Sequence, residues 1–188
     1  MSTTIISTQN DLLMKNLNAF YSNHSHFKKM LGVINGESRI SLRIVDWFAT
    51  NYAKMNFSVY DIKNRWDEIE RFNVYRDYKL KLKAYSKKRF DPFCRWERIT
   101  IPYNNKEGQF IQTTIGQLNF FKWAIENRVI QHIEENYKEI ENDMNTRNST
   151  AKKVIPETNK TRKKREELSI SAVKTVKKEN IEIIVNFN

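Results

Sequence analysis

Only four glycines and three prolines interrupt 188 residues. A turn-rich all-β chain needs many more such breakers, so the sequence favours long helices. The apolar positions agree. Ser7 or Thr8 can cap a helix beginning near Gln9, with Leu13, Leu17, Phe20 or Tyr21, then Phe27, Met30, Leu31 and Ile34 along its stripe. Gly32 and Gly36 close that region. RISLRIVDWFATNYAK places Ile40, Ile44, Trp47, Phe48 and Tyr52 on a second helix. Asp61 reads as the cap of a third, with Ile62, Trp66 and Ile69 on one side.

Residues 72–89 fit two periods. Val74, Tyr78, Leu82 and Tyr85 recur as in a helix, while YKLKLKAY alternates as in a strand. Helix is the better reading, because its spacing persists longer and Lys, Leu and Ala are good helix formers. Asp91-Pro92 then ends it. Residues 97–113 read as a β-hairpin. Ile99, Ile101 and Tyr103 share a face, NNKEG turns, and Pro102 makes the first arm a short or edge strand. Thr113 or Thr114 caps a final helical run of roughly thirty residues, with a break expected at Asn127-Arg128. The fold class is therefore α+β and mainly α, a helical domain over 1–146 with a small antiparallel hairpin. Eleven Phe, eight Tyr and four Trp give that domain material for a core.

After residue 145 the composition changes. Residues 147–178 read as a basic flexible linker, and residues 179–188 as a terminal β-strand with Ile181, Ile183, Val185 and Phe187 on one face. A lone tethered strand is not stable by itself. It returns to the hairpin as a third strand, or adds to a partner's sheet or to a second copy through residues 181–187.

The charge is unevenly placed. The chain carries +11, of which residues 147–178 hold +8 and residues 76–98 hold +6, leaving −3 for the rest. Two basic elements on a near-neutral body point to a polyanionic partner. The tail cluster is Lys160, Arg162, Lys163, Lys164 and Arg165, a pattern that binds phosphates, serves nuclear import, or only keeps a tail soluble. In the inner segment Lys79, Lys83 and Lys87, with Arg76, fall at helical spacing and form one stripe. Lys88, Arg89, Arg95 and Arg98 follow around the loop, interleaved with Tyr85, Phe90, Phe93 and Trp96. Stacking platforms beside cations hold single-stranded nucleic acid, although most of these aromatics suit a core equally well.

Other chemistries find little support. Residues 115–145 could form a helix-turn-helix, but Glu134, Glu135, Glu139, Glu141 and Asp143 would be repelled by DNA. That acidic face suits the basic tail instead, as an autoinhibitory contact. His24, His26, His132 and Cys94 complete no zinc pattern, and Cys94 reads as a packed thiol. No Gly-rich phosphate loop, G-x-S-x-G or H-E-x-x-H is present, so neither enzyme nor cofactor is expected, beyond a nuclease built from dispersed acidic residues. The single cysteine and the absence of a signal peptide or membrane span point to a soluble intracellular protein.

RISLRIVDWF (39–48), FDPFCRWERI (90–99), TTIGQLNFFKWAIEN (113–127) and the ending KKREELSISAVKTVKKENIEIIVNF together resemble small basic proteins of unassigned role from nucleocytoplasmic large DNA viruses, the giant viruses. The resemblance implies a viral protein made in a eukaryotic host, located in the nucleus, a cytoplasmic viral factory or the virion. The expected function is non-enzymatic nucleic-acid binding of low sequence specificity, DNA ahead of RNA, with no membrane partner. Its rival is a structural or adaptor protein of the virion acting through protein contacts.

Overall fold

The architecture is a computed structural model that describes residues 8–64, 66–102, 109–153 and 177–180. Helix α1 (Gln9–Tyr21) opens on a capping box. Thr8 Oγ1 accepts from the Asp11 N–H, and the Thr8 N–H donates to the Asp11 carboxylate. The apolar stripe expected to run on through Ile34 is split. Asn23 caps a separate α2 (His24–Ile34) by accepting from the Ser25 N–H. Ser41 caps α3 (Leu42–Trp47), which continues through a wider π-helical turn at Phe48–Tyr52 into α4 (Ala53–Met55). Thr50 Oγ1 donates to the Asp46 carbonyl at 2.7 Å within that wider turn.

The third expected helix, from Asp61, is instead a hairpin of β1 (Val59–Lys63) and β2 (Ile69–Asn73), with Tyr60 opposite Phe72. Local hydrogen bonds favour the turn. Asn64 Oδ1 accepts from the Trp66 and Glu68 N–H groups, and Asp67 takes the left-handed conformation with φ 62. Asn and Asp favour such turns over a helix interior.

Residues 72–89 resolve toward helix, as α5 (Val74–Arg89), capped by Asn73. The expected hairpin is β3 (Arg98–Pro102) with β4 (Gln109–Thr114), and β3, which ends in Pro102, lies at the sheet edge. The third strand is β5 (Lys177–Asn180), antiparallel to β4. It overlaps the start of the segment read as a strand, 179–188, whose residues 181–188 lie outside the described residues.

Thr114 caps α6 (Ile115–Glu126), and Arg128, left-handed at φ 55, breaks the run where Asn127-Arg128 suggested. Helix α7 (Val129–Glu135) and α8 (Tyr137–Lys153) follow. Helix α8 carries on past residue 146, the expected start of the flexible linker.

Helix α6 forms the centre. It touches α1, α2, α5 and α7, and Leu118, Phe120, Phe121, Trp123 and Ala124 are all buried. Each such aromatic contributes about 1.5–3 kcal/mol relative to exposure. Phe90, Tyr78, Phe120 and Trp123 make mutual ring contacts of 5.5–6.5 Å. That cluster brings the end of α5 onto the core.

A candidate polyanion-binding loop

The basic segment is not one straight stripe. Ser86 has φ 62 and ψ 167, so α5 kinks between Lys83 and Lys87. Lys79 and Lys83 are exposed on one side of the kink; Lys87 and Lys88 are exposed beyond it, with Arg89 half-buried. Helical spacing across residue 86 therefore fails, because the positive-φ backbone at Ser86 resets the direction of the side chains that follow.

What the kink separates, the loop after it reassembles. Cys94 is buried, and its Sγ donates to the Lys88 carbonyl at 3.4 Å and lies 4.0 Å from the Trp96 carbonyl. The thiol thus brings the end of α5 beside Arg95 and Trp96. Gly116 makes this approach feasible. A Cβ on Gly116 would stand 2.8 Å from Cys94 Cβ and 3.0 Å from the Lys88 carbonyl oxygen.

Among the described residues the buried polar side chains are Thr113, Thr114, Gln117 and Asn119. All four hold this loop. Asn119 Nδ2 donates to the Arg89 carbonyl at 2.8 Å, and Gln117 Nε2 to the Pro92 carbonyl at 3.0 Å. Thr114 Oγ1 donates to the Cys94 carbonyl, and Thr113 Oγ1 orients Gln117 by donating to its Oε1. The Asp91 N–H adds a bond to the Gly116 carbonyl, while the Asp91 carboxylate accepts from the Phe93 N–H at 2.8 Å. A loop carbonyl left unpaired in such a setting costs about 1–3 kcal/mol, so these bonds fix the loop's course.

The cations themselves are spare. Among the described residues the salt bridges join Lys63 to Asp67, Lys122 to Glu126 and Arg147 to Asp143, none of them in this segment. Arg89 donates to Gln9 Oε1 at 2.7 Å and Arg98 to Gln112 Oε1 at 3.2 Å, neutral partners that orient without neutralising. Lys88, Arg95, Trp96 and Arg98 are exposed together. The register of β5 also pairs Lys177, from the basic tail, with Gln112. The two basic elements of the sequence therefore meet at the sheet that carries Arg98. Lys160, Arg162, Lys163, Lys164 and Arg165 lie outside the described residues.

Beneath the loop sits a carboxylate pair. Burial pushes Asp46 up to about 6, the neighbouring Asp91 charge adds to this, and Lys87 opposes it. Asp91 is raised as well, first by burial, against the Phe93 N–H and Lys87. Tyr78 rises to about 12 through burial and the same two carboxylates.

Of the interleaved aromatics, the structure removes Phe90 to the core at 1% exposure and stacks the half-buried Tyr85 on it at 6.3 Å. Phe93 is also half-buried, and only Trp96, at 69%, stands in solvent. The acidic face of α7 and α8 is partly committed to the body. Asp143 accepts from Trp47 Nε1 and Arg147 Nε, Glu139 from the Tyr52 hydroxyl, and Glu141 from the Tyr137 hydroxyl.

A second concavity of about 870 Å³ between α2 and α6–α7 is lined by Phe20, His26, Lys29, Glu126, Arg128 and Glu134. Its charges are of both signs. Among the described residues no group of three or more His, Cys, Asp or Glu could hold a metal ion, and no helix is long and apolar enough to cross a membrane.

Sequence alone missed the latch. Gln117 and Asn119 are buried polar positions in a mostly apolar helix, and Thr113-Thr114 precede it. That run, TTIGQLN, was the available signal.

The chain is 43% identical over 136 residues to an uncharacterized protein of Acanthamoeba polyphaga mimivirus, a match covering 71% of this chain and 52% of the relative. The match thus spans about half the length of that curated relative. No solved structure matches. Residues 2–188 match the model of a family of unknown function, DUF7197, and with a giant-virus relative this similar, the chain belongs to that family.

Proposed function

We propose that the chain is a non-enzymatic nucleic-acid-binding protein of low sequence specificity, working in a giant-virus infection. One observation carries this reading. The buried polar side chains of the described core hold a loop whose exposed cations have no acidic partner within salt-bridge range. A fixed array of unneutralised cations suits a phosphate backbone, which binds through charge and counterion release rather than base edges. Lys88, Arg89, Arg95 and Arg98 form the array, with Lys87 facing the Asp46 and Asp91 carboxylates and Lys79 and Lys83 beyond the kink; Lys160, Arg162, Lys163, Lys164 and Arg165 add positive charge in the tail sequence. DNA stands ahead of RNA as the ligand, and the host nucleus or cytoplasmic viral factory as the place of action.

A salt titration of binding to single- and double-stranded DNA and RNA tests this. Log affinity is expected to fall linearly with log salt, by about 0.9 per phosphate neutralised on duplex DNA and about 0.7 on single strands. The combined Lys88→Glu, Arg95→Glu and Arg98→Glu variant is expected to lose both affinity and slope. Binding that is weak and insensitive to salt on every nucleic acid would end the proposal.

A second reading, a structural or adaptor protein of the virion, draws on the β1–β2 region. Trp66 and Ile69 are exposed at its tip, and Met55 and Phe57 at its base, and exposed apolar side chains of this size suit a protein contact. Size-exclusion chromatography with light scattering, on the full chain and on one lacking residues 179–188, separates the two. Self-association lost with that segment favours the adaptor reading and a role for residues 181–187 in it.

A further inference from the structure

Resting on the nucleic-acid reading above, we propose that Trp96 is a base-stacking platform, and that the ligand class of the basic loop is a single strand with unpaired bases. The indole is 69% exposed and makes no ring contact among the described residues. The other aromatics of the segment are used internally: Phe90 contacts Tyr78, Tyr85, Phe120 and Trp123. One face-bearing ring therefore remains, between exposed Arg95 and Glu97, with Arg98 one residue further on and the Lys88 backbone brought alongside by Cys94.

Exposure alone would say little, since single apolar side chains on a surface are ordinary. The difference here is that the ring's backbone is fixed on both sides. Before it, Cys94 is held by the Thr114 hydroxyl at its carbonyl, and its own N–H bonds to the Asp91 carbonyl at 3.2 Å. After it, Glu97 sits in the left-handed region at φ 51, which non-glycine residues rarely adopt. Such backbone tends to gather at ligand clamps. Beyond Glu97, Arg98 enters β3 opposite Thr114 and donates to Gln112 Oε1. A backbone fixed on both sides lowers the entropy lost when the indole stacks.

A duplex already stacks its bases inside and shows a protein only edges and phosphates. An indole in a cation-rich segment gains a base face only from an unpaired nucleotide, whose phosphates then reach the Arg and Lys groups. Trp66 makes a built-in control. It is 79% exposed, but on a hairpin without surplus positive charge, where Lys63 is tied to Asp67 at 2.8 Å.

The test is fluorescence anisotropy with the full chain, on an oligothymidylate of about 12 nucleotides, within the usual site size, and on a duplex of equal length. Trp96→Ala is expected to weaken single-strand binding about ten-fold, the loss of one stacked base. It should leave duplex binding and the salt slope unchanged. Trp96→Phe should retain most of the affinity, and Trp66→Ala all of it. Indole fluorescence quenched by the oligonucleotide should lose that quenching in Trp96→Phe. If Trp96→Ala leaves single-strand affinity within about two-fold while Lys88→Glu with Arg95→Glu weakens both ligands, stacking is overturned and the polyanion reading stands. If the unaltered chain binds neither ligand at low salt, both fall together.

Discussion

The β1–β2 hairpin sits on the core through side chains, whereas the run into β3 is held by its backbone carbonyls. Tyr60 stacks on His132 at 4.5 Å and donates its hydroxyl to the Asn127 carbonyl at 2.8 Å, and Phe72 is buried against Trp123. Those contacts fasten the base of the hairpin and leave its tip, Trp66 and Ile69, in solvent. The β3 approach is fastened along its length, at Arg89, Pro92 and Cys94. The two tips differ in charge as well as anchorage. Residues 59–73 carry three basic and four acidic side chains, and residues 86–98 carry five against two. A rigid loop with surplus charge is the better candidate for a polyanion, and a loosely held apolar tip the better candidate for a protein contact.

The largest expected effect is at the weld itself. Phe90→Ala should cost about 3–5 kcal/mol in urea denaturation, because it removes a buried ring from the α5–α6 cluster. A loss under about 1 kcal/mol would mean the loop is not joined to the core in this way. Gly116→Ala should cost about 1–3 kcal/mol, although alanine is the better helix former, since its methyl meets Cys94 and the Lys88 carbonyl. Gln117→Ala should cost a similar or smaller amount, about 1–3 kcal/mol, by leaving the Pro92 carbonyl unpaired. Nucleic-acid affinity should fall with it; unchanged affinity in a folded Gln117→Ala protein would break the link between latch and ligand.

Titration distinguishes the two regions with opposite signs. Asp46, beside the β3 loop, holds its proton up to about pH 6, above its ordinary value of 3.8. Between those values the unfolded chain has lost a proton the folded chain keeps, so stability falls as pH rises through about 4 to 6. Asp46→Asn should therefore stabilise the protein above pH 6 and change little below about pH 4. His132, under β1–β2, is lowered by burial, with Glu135 opposing. Its contribution is present above the ordinary imidazole value of 6.5 and is lost as pH falls through its lowered one. Relative to the unaltered chain, the Asp46→Asn protein should gain stability as pH rises and the His132→Phe protein should lose it. Deviations of the same sign would erase the contrast. The smallest effect belongs to the free tip. Trp66→Ala should stay within about 0.5 kcal/mol of the parent, and a larger loss would show that hairpin to be anchored beyond its base.

Much of the helical frame was legible. Thr114 as a cap, the end of α5 before Asp91-Pro92, the break at Arg128 and the edge position of β3 follow from local chemistry, which acts over a few residues. The β1–β2 hairpin was not legible. Ile62, Trp66 and Ile69 do have helical spacing, and the competing signal is Asn64 binding the N–H groups of Trp66 and Glu68. A short apolar run satisfies both periods, and burial of Tyr60 and Phe72 on distant residues decides between them.

By itself the sequence determined a mainly helical class, the position of most breaks, and the surplus of cations in 76–98 and 147–178. Each rests on composition or on contacts between near neighbours. Only the tertiary structure decided which cations stand together and which ring is free. The kink at Ser86 undoes the lysine stripe that spacing implied, and Cys94, packed against Gly116, rebuilds an array from Lys88, Arg95 and Arg98. The partners that settle this lie 20 to 30 residues away along the chain, at Thr114, Gln117 and Asn119. A buried donor bonds to whichever carbonyl the fold brings to it, and that pairing has no local signature.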